Sequence, residues 1–281
     1  MAMTQDVESL VENSDKLGSL PEIFYQINDA VENPECSFSE IGEIISRDPA
    51  LCARLLKIVN SSFFGFSSKV ETISHAVTIV GMTQLRDLAL ATAIVNNFDG
   101  IPGNAINMKS FWRHSISVGL AGRVIGIYLK VSNPERFYVL GLLHDLGRLL
   151  MYLTVPEGMS RVLHISAKGG LLHEAESKTL GWNHAEVGGA LLRKWNLPVQ
   201  MIEGVHYHHN PSDSLNFPLE AAITHVADIV AQTLELGSSG ERYVPPLDSK
   251  AWEMLGLPAS MLSSVATQVD CQVNDLSEIF V

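Results

Sequence analysis

Cysteine is scarce in this chain, three residues among 281, and none of the three forms a CxxC pair. Cys36, Cys52 and Cys271 therefore offer neither a disulfide framework nor a thiolate zinc site, and a reducing cytoplasm suits them best. Basic residues are also few, 19 Lys and Arg against 31 Asp and Glu, for a net charge of -12. Duplex binding draws on Lys and Arg that neutralise phosphates, so the lack of a basic run argues against a general nucleic-acid binder. No glycine-rich phosphate loop, internal repeat, heptad pattern or low-complexity tract occurs. The opening MAMTQDVESLVENSDK lacks the basic-then-apolar order of a secretory leader. The most apolar stretch carries three ionisable residues at its centre, which argues against a membrane span. The chain is 46% hydrophobic and 18% charged. That is the balance of a folded globular protein, with room for one large core or two modest ones.

Helix signals dominate and strand signals are weak. Ser19 and Pro21 open LPEIFYQINDAVEN, in which Ile23, Ile27 and Ala30 share a face. Ser37 and Glu40 form a capping-box pair, and Asp48-Pro49 places a cap and a first-turn proline before ALCARLLKIVNS. An aromatic loop, SSFFGFSSKV, precedes two further helical segments. Its Phe63, Phe64 and Phe66 suit either burial in a core between lobes or a surface for a protein partner. DGIPGNA, residues 99–105, reads as a boundary. The expected architecture is an all-α, multi-helix bundle. It comprises an N-terminal extension over 1–16, a helical lobe over 17–98, a second helical lobe over 104–235, and a C-terminal loop and helices over 236–281 packing on the bundle.

The second lobe is organised around FYVLGLLHDLGRLLMYLT, residues 137–154, which reads as one core helix with His144, Asp145 and Arg148 inside it. An unpaired buried carboxylate costs several kcal/mol or takes up a proton, so it needs a cation, a strong donor or a metal. At helical spacing Arg148 reaches both Asp145 and His144. One reading is an Asp145–Arg148 ion pair beside a hydrogen-bonded core histidine; the other is an adjacent His-Asp ligand pair. Taken alone, this helix favours the ion pair.

The remaining histidines shift that balance. His114 lies in FWRHSISVGLAG, His184 opens a helix bearing Val187 and Leu191, and His208 and His209 end another. Asp228 repeats the burial problem within AAITHVADIVA. Five helices thus carry nitrogen or oxygen donors toward what would be one interior point, the ligand chemistry expected for Zn, Fe or Mn. His225 could equally bond a neighbouring helix. His75, His164, His173 and His206 fit no shared face and read as structural or exposed.

The order His114, His144-Asp145, Asp228 resembles the H…HD…D signature of the HD-domain superfamily of metal-dependent phosphohydrolases. Added to it are WRHS, GLLHDLGRL, HAEVGGALLRKWNLP, the YHHNP run and the N-terminal LPEI…RDPALCARLLKIVNS…ISHAVTIVGMTQLRDLAL. With these, residues 17–265 are similar to an HDOD domain. The resemblance implies an HD-type helical bundle holding a divalent ion or ions, Fe, Mn, Zn or Mg. Its ligands would be His114, His144, Asp145, His184, His208, His209 and Asp228. HD phosphohydrolases and HD-GYP phosphodiesterases use such ions to hydrolyse phosphoester bonds. HDOD domains are mostly signalling or regulatory.

Two departures bear on which applies. The lysine expected three residues after the aspartate is Arg148, permanently charged and unable to transfer a proton near neutrality. The GYP loop is replaced by NPSDSLNFPLE. The expectation is a signalling or regulatory module that retains a metal site and engages a protein partner. The alternative is a metal-dependent phosphohydrolase acting on a nucleotide or other phosphoester. One ion would then sit on His114, His144, Asp145 and Asp228, and a second on His184, His208 and His209. Asp145 and Arg148 would be the catalytic residues, Arg148 by binding substrate phosphate.

Overall fold

The computed structural model describes residues 6–12, 20–96 and 106–280. Among them every regular element is helical, in keeping with an all-α chain. The expected boundary at 99–105 and the expected opening residue Ser19 lie outside the described residues. No single helix among the described residues is long and apolar enough to cross a membrane.

The chain divides into two compact units. Helix α1 (Val7–Glu12) belongs to the larger, formed by residues 1–18 and 100–269; residues 19–99 and 270–281 form the smaller. The smaller contains α2 (Glu22–Glu32), α3 (Phe38–Ser46), α4 (Pro49–Val59), α5 (Ile73–Val80) and α6 (Met82–Asn96). Local sequence accounts for its helix starts. Ser37 Oγ accepts from Glu40 N (3.3 Å) while Ser37 N donates to Glu40 Oε2 (2.7 Å), the reciprocal bonds of a capping box. Asp48 Oδ1 accepts from Ala50 N and Leu51 N (2.9 and 3.0 Å), and Pro49 takes the first turn, where its missing N–H costs nothing. Apolar side chains at helical spacing, among them Phe24, Ile27, Ile41, Ile45, Leu55 and Ile58, are buried.

The aromatic loop after α4 splits. Phe63 is buried, whereas Phe66 is 41% exposed and stacks on Phe64 at 5.5 Å. Asn60 clasps the far end of the loop, accepting from Val70 N (2.7 Å) and donating to Val70 O (2.8 Å).

The larger unit continues with α7 (Met108–Tyr128), α8 (Glu135–Leu143), α9 (Leu146–Thr154), α10 (Pro156–Ser166), α11 (Leu172–Leu180), α12 (His184–Lys194) and α13 (Val199–His206). A 3-10 turn at Pro211–Asp213 then leads to α14 (Pro218–Thr233), α15 (Ser249–Leu255) and α16 (Met261–Phe280), whose residues from Asp270 onward belong to the smaller unit. Helices α8 and α14 pack on α7, and α9 and α13 pack on α12.

The stretch expected as one central helix is broken at its centre. His144 keeps helical angles (φ -55°, ψ -36°), but Asp145 leaves them (φ -101°, ψ 5°), so α8 ends and α9 begins around this pair. Arg148 N donates to Asp145 O (3.0 Å), a tight first turn for α9. Glycines on either side set what this break brings together. A Cβ on Gly141 would lie 2.1 Å from Gly119 N, and one on Gly147 would lie 2.0 Å from His184 O. Only glycine lets α8 approach α7, and α9 approach α12, this closely. Apolar periodicity cannot reveal the break, because residues 137–152 are all buried and no exposed face marks a change of direction.

Candidate metal centre

His114 comes from α7, and His144 with Asp145 from the break between α8 and α9. His184 is the first residue of α12, a start fixed by Asn183, whose Oδ1 accepts from Ala185 N and Glu186 N (2.9 and 3.1 Å). His208 and His209 follow the end of α13, and Asp228 lies within α14. These seven side chains converge in the larger unit. All but the partly exposed His209 are at most 3% exposed.

They form two donor groups. In the first, His114 Nε2 stands 3.2 Å from Asp228 Oδ1 and 3.8 Å from Asp145 Oδ2. His144 Nε2 stands 3.3 Å from Asp145 Oδ2 and 3.8 Å from Asp228 Oδ1. Ligands about 2.1 Å from an ion stand roughly 3.0–3.4 Å apart at octahedral or tetrahedral angles, so this spacing is close to that of one coordination sphere. In the second group, nitrogens of His184, His208 and His209 lie within 4.8 Å of one another. His184 Nε2 is 2.9 Å from Asp145 Oδ1 and 2.9 Å from His209 Nε2. Asp145 thus presents one oxygen to each group.

The ring nitrogens provide the test of fit. His144 Nδ1 lies 2.7 Å from Gly141 O and His208 Nδ1 lies 2.6 Å from Val205 O. Each ring donates to that carbonyl and turns the Nε2 lone pair inward, the tautomer that a metal-binding imidazole needs. Among the described residues, the buried Nε2 atoms of His114, His144 and His208 have no hydrogen-bond partner. Stranded buried nitrogens are costly in a protein core and ordinary around a cation. The residues fit a divalent ion, and the mixture of imidazole and carboxylate suits Fe, Mn or Zn better than the oxygen-preferring Mg.

Two further side chains set the electrostatics. Arg148 is buried and turned inward. Its Nη1 donates to Asp145 Oδ2 (3.2 Å), Ser239 O (3.1 Å) and Ser239 Oγ (2.5 Å), and its Nε lies 3.5 Å from Glu176 Oε1. Its Nη2 is 3.0 Å from both ring nitrogens of His184, which sets it over the imidazole face. Glu176 on α11 is fully buried; its Oε2 accepts from His184 N (2.9 Å) and lies 2.6 Å from His184 Nδ1.

Sequence reasoning misses Glu176, because in the polar HEAESKTLG one more carboxylate gives no contrast. The only signal is its place four residues from both Leu172 and Leu180, on the face α11 turns inward. His173, expected as structural or exposed, stacks on His209 at 3.9 Å. His225 is committed elsewhere: its Nδ1 is 2.8 Å from His208 O, and its Nε2 accepts from Asp248 N (3.0 Å).

Charge and burial compete at each group. Burial pushes the Asp145 carboxyl up, but Arg148, then His144 and His184, hold it well below the usual carboxylate range. Asp228 is held down against burial by the neighbouring imidazoles, His114 first and then His144. Burial and Arg148 work against protonation of His184, yet Glu176 and Asp145 prevail and raise its pKa to about 8. His208 and His209 are driven well down, by burial first and then by neighbouring imidazoles. A cleft of about 260 Å³, lined by His114, Gln232, Ser239, Arg242 and Tyr243 among others, opens beside the first group.

Comparisons with known proteins agree with this architecture. The family model for the HDOD domain matches residues 17–211. An uncharacterized protein of Treponema pallidum (strain Nichols) is 31% identical over 216 residues, 74% of this chain and 40% of that protein, so the chain spans well under half of that relative's length. The crystal structure of a candidate phosphohydrolase from Shewanella amazonensis SB2B superposes with a TM-score of 0.78 at 24% identity, covering 97% of this chain and 98% of that one. An HDOD domain protein with unknown function from Geobacter sulfurreducens gives a TM-score of 0.75 at 24% identity, over 97% and 95%. At such identities the likeness speaks for the fold alone, an all-α multi-helix architecture. With the family model matched across residues 17–211, the chain belongs to the HDOD domain family.

Proposed function

We propose that the chain is a signalling or regulatory HDOD module that retains a divalent metal site, with His114, His144, Asp145 and Asp228 at its heart. The stranded Nε2 atoms and the two facing carboxylates support the site. The posture of Arg148 carries the regulatory reading. The side chain placed to grip a substrate phosphate is buried and engaged with Asp145, Glu176, His184 and Ser239, so it presents no cation to a ligand. A bound ion would supply Lewis acidity and would tie α7, α14 and the α8–α9 break together. The partner would be a signalling protein meeting the lobe over 17–98, where the stacked Phe64–Phe66 pair reaches solvent. Three free cysteines suit a cytoplasmic setting.

The second reading is a phosphohydrolase acting on a nucleotide or other phosphoester, and the cleft at His114 favours it. Elemental analysis after anaerobic purification, then a phosphoester screen with added Mn, Fe or Mg, separates the two. The expected result is metal-replete protein without turnover. Turnover that Asp145→Ala abolishes would establish the hydrolase instead, and protein that takes up no ion would remove both readings.

A further inference from the structure

The donor set is large enough for two ions, yet it already contains a permanent cation. Arg148 Nη1 is 3.2 Å from Asp145 Oδ2 and Nη2 is 3.0 Å from each ring nitrogen of His184. Arginine stays protonated at any pH the fold survives. A fixed positive charge therefore stands against the shared aspartate and against a histidine of the second group. His184 is further occupied, through Nδ1 by Glu176 and around Nε2 by Asp145 and His209.

The first group differs: among the described residues no guanidinium bonds its imidazoles, and two carboxylates face them, while in the second group only His208 keeps an unpartnered Nε2. Charge balance points the same way. Asp145, Asp228 and Glu176 bring three negative charges to the buried cluster and Arg148 one positive. With every imidazole neutral one divalent ion balances the remainder, whereas two would leave an uncompensated positive excess, larger still with His184 protonated, in an interior that tolerates it poorly.

We propose that Arg148 stands in for a second cation, so that the centre takes up one divalent ion per chain, on His114, His144, Asp145 and Asp228. His184 then stays between the guanidinium, Glu176 and His209, and the second group holds no ion. This rests on the metal site proposed above and fixes its stoichiometry.

The test loads the full chain with excess Mn(II), removes unbound ion, and measures Mn per chain by elemental analysis and spin coupling by electron paramagnetic resonance. The parent should hold one ion with an uncoupled spectrum, and Arg148→Gln should hold two that couple. Asp228→Asn should lose the parent's ion, while His209→Ala keeps it. Two ions in the parent, or only one in Arg148→Gln with a native helical spectrum, would overturn the proposal and leave the metal site standing. Loss of the ion in His209→Ala would do the same, and this arm decides the matter even if the Arg148 variant fails to fold. No ion in the parent would remove the site and the proposal together.

Discussion

Glu176→Gln probes how the centre is held together, because it removes one buried charge and keeps the shape of the side chain. Glu176 Oε2 accepts from His184 N at 2.9 Å and lies 2.6 Å from His184 Nδ1. A hydrogen bond to a charged group contributes about 1.5–3 kcal/mol, and the amide weakens rather than abolishes it, so roughly 1–2 kcal/mol is lost here. A second loss depends on pH. Burial and Arg148 oppose protonation of His184, but Glu176 and Asp145 raise its pKa to about 8, against about 6.5 in the unfolded chain. At about 1.4 kcal/mol per tenfold change in proton affinity, this is about 2 kcal/mol of stability. Because the folded value is the higher one, that share is fully present below about pH 6.5 and is lost as pH rises through about 8. Without the Glu176 charge most of it disappears, so the deficit should be about 3 kcal/mol near about pH 6 and only about 1–2 kcal/mol near about pH 9. At about 2–4 °C per kcal/mol, the melting midpoint should fall by roughly 6–12 °C at the lower pH and by much less at the higher. Far-UV circular dichroism melts in a chelator would measure both. Equal deficits at the two pH values would refute the role of Glu176 in charging and orienting His184.

Gly147→Ala should cost about 3 kcal/mol or more in a urea titration, because its Cβ would meet His184 O at 2.0 Å and Gly188 N at 2.5 Å, both backbone atoms that cannot step aside. A variant as stable as the parent would mean that α9 and α12 are not pinned at this point. In chelator the parent should be most stable near about pH 6.5, measured as melting midpoint against pH. Above it, His144 and His184, whose pKa values are raised, lose their share; below it, His173, His208 and His209, whose values are lowered, take up protons only when unfolded. Excess Mn(II) should move that optimum upward, since metal ligation requires neutral imidazole.

Local signals in the chain suffice for the helical class, for the caps at Ser37, Asp48 and Asn183, and for the side chains that meet at the centre. Caps are legible because their bonds span two or three residues. Ionisable residues among leucines stand out because burial makes them expensive. The arrangement around those side chains is not local. Around the break at Asp145, Gly141 and Gly147 let α8 close on α7 and α9 on α12, and apolar periodicity is the same with or without the break. Glu176 and Ser239 reach Arg148 from 28 and 91 positions away along the chain, and beyond the Leu172 and Leu180 spacing around Glu176 no local pattern marks them. Likewise Phe63 and Phe66 share a loop and a residue type, yet one is buried and the other 41% exposed. Which group supplies the charge beside a buried carboxylate is settled by which helix passes within about 3 Å of it, and that distance exists only once the bundle has closed.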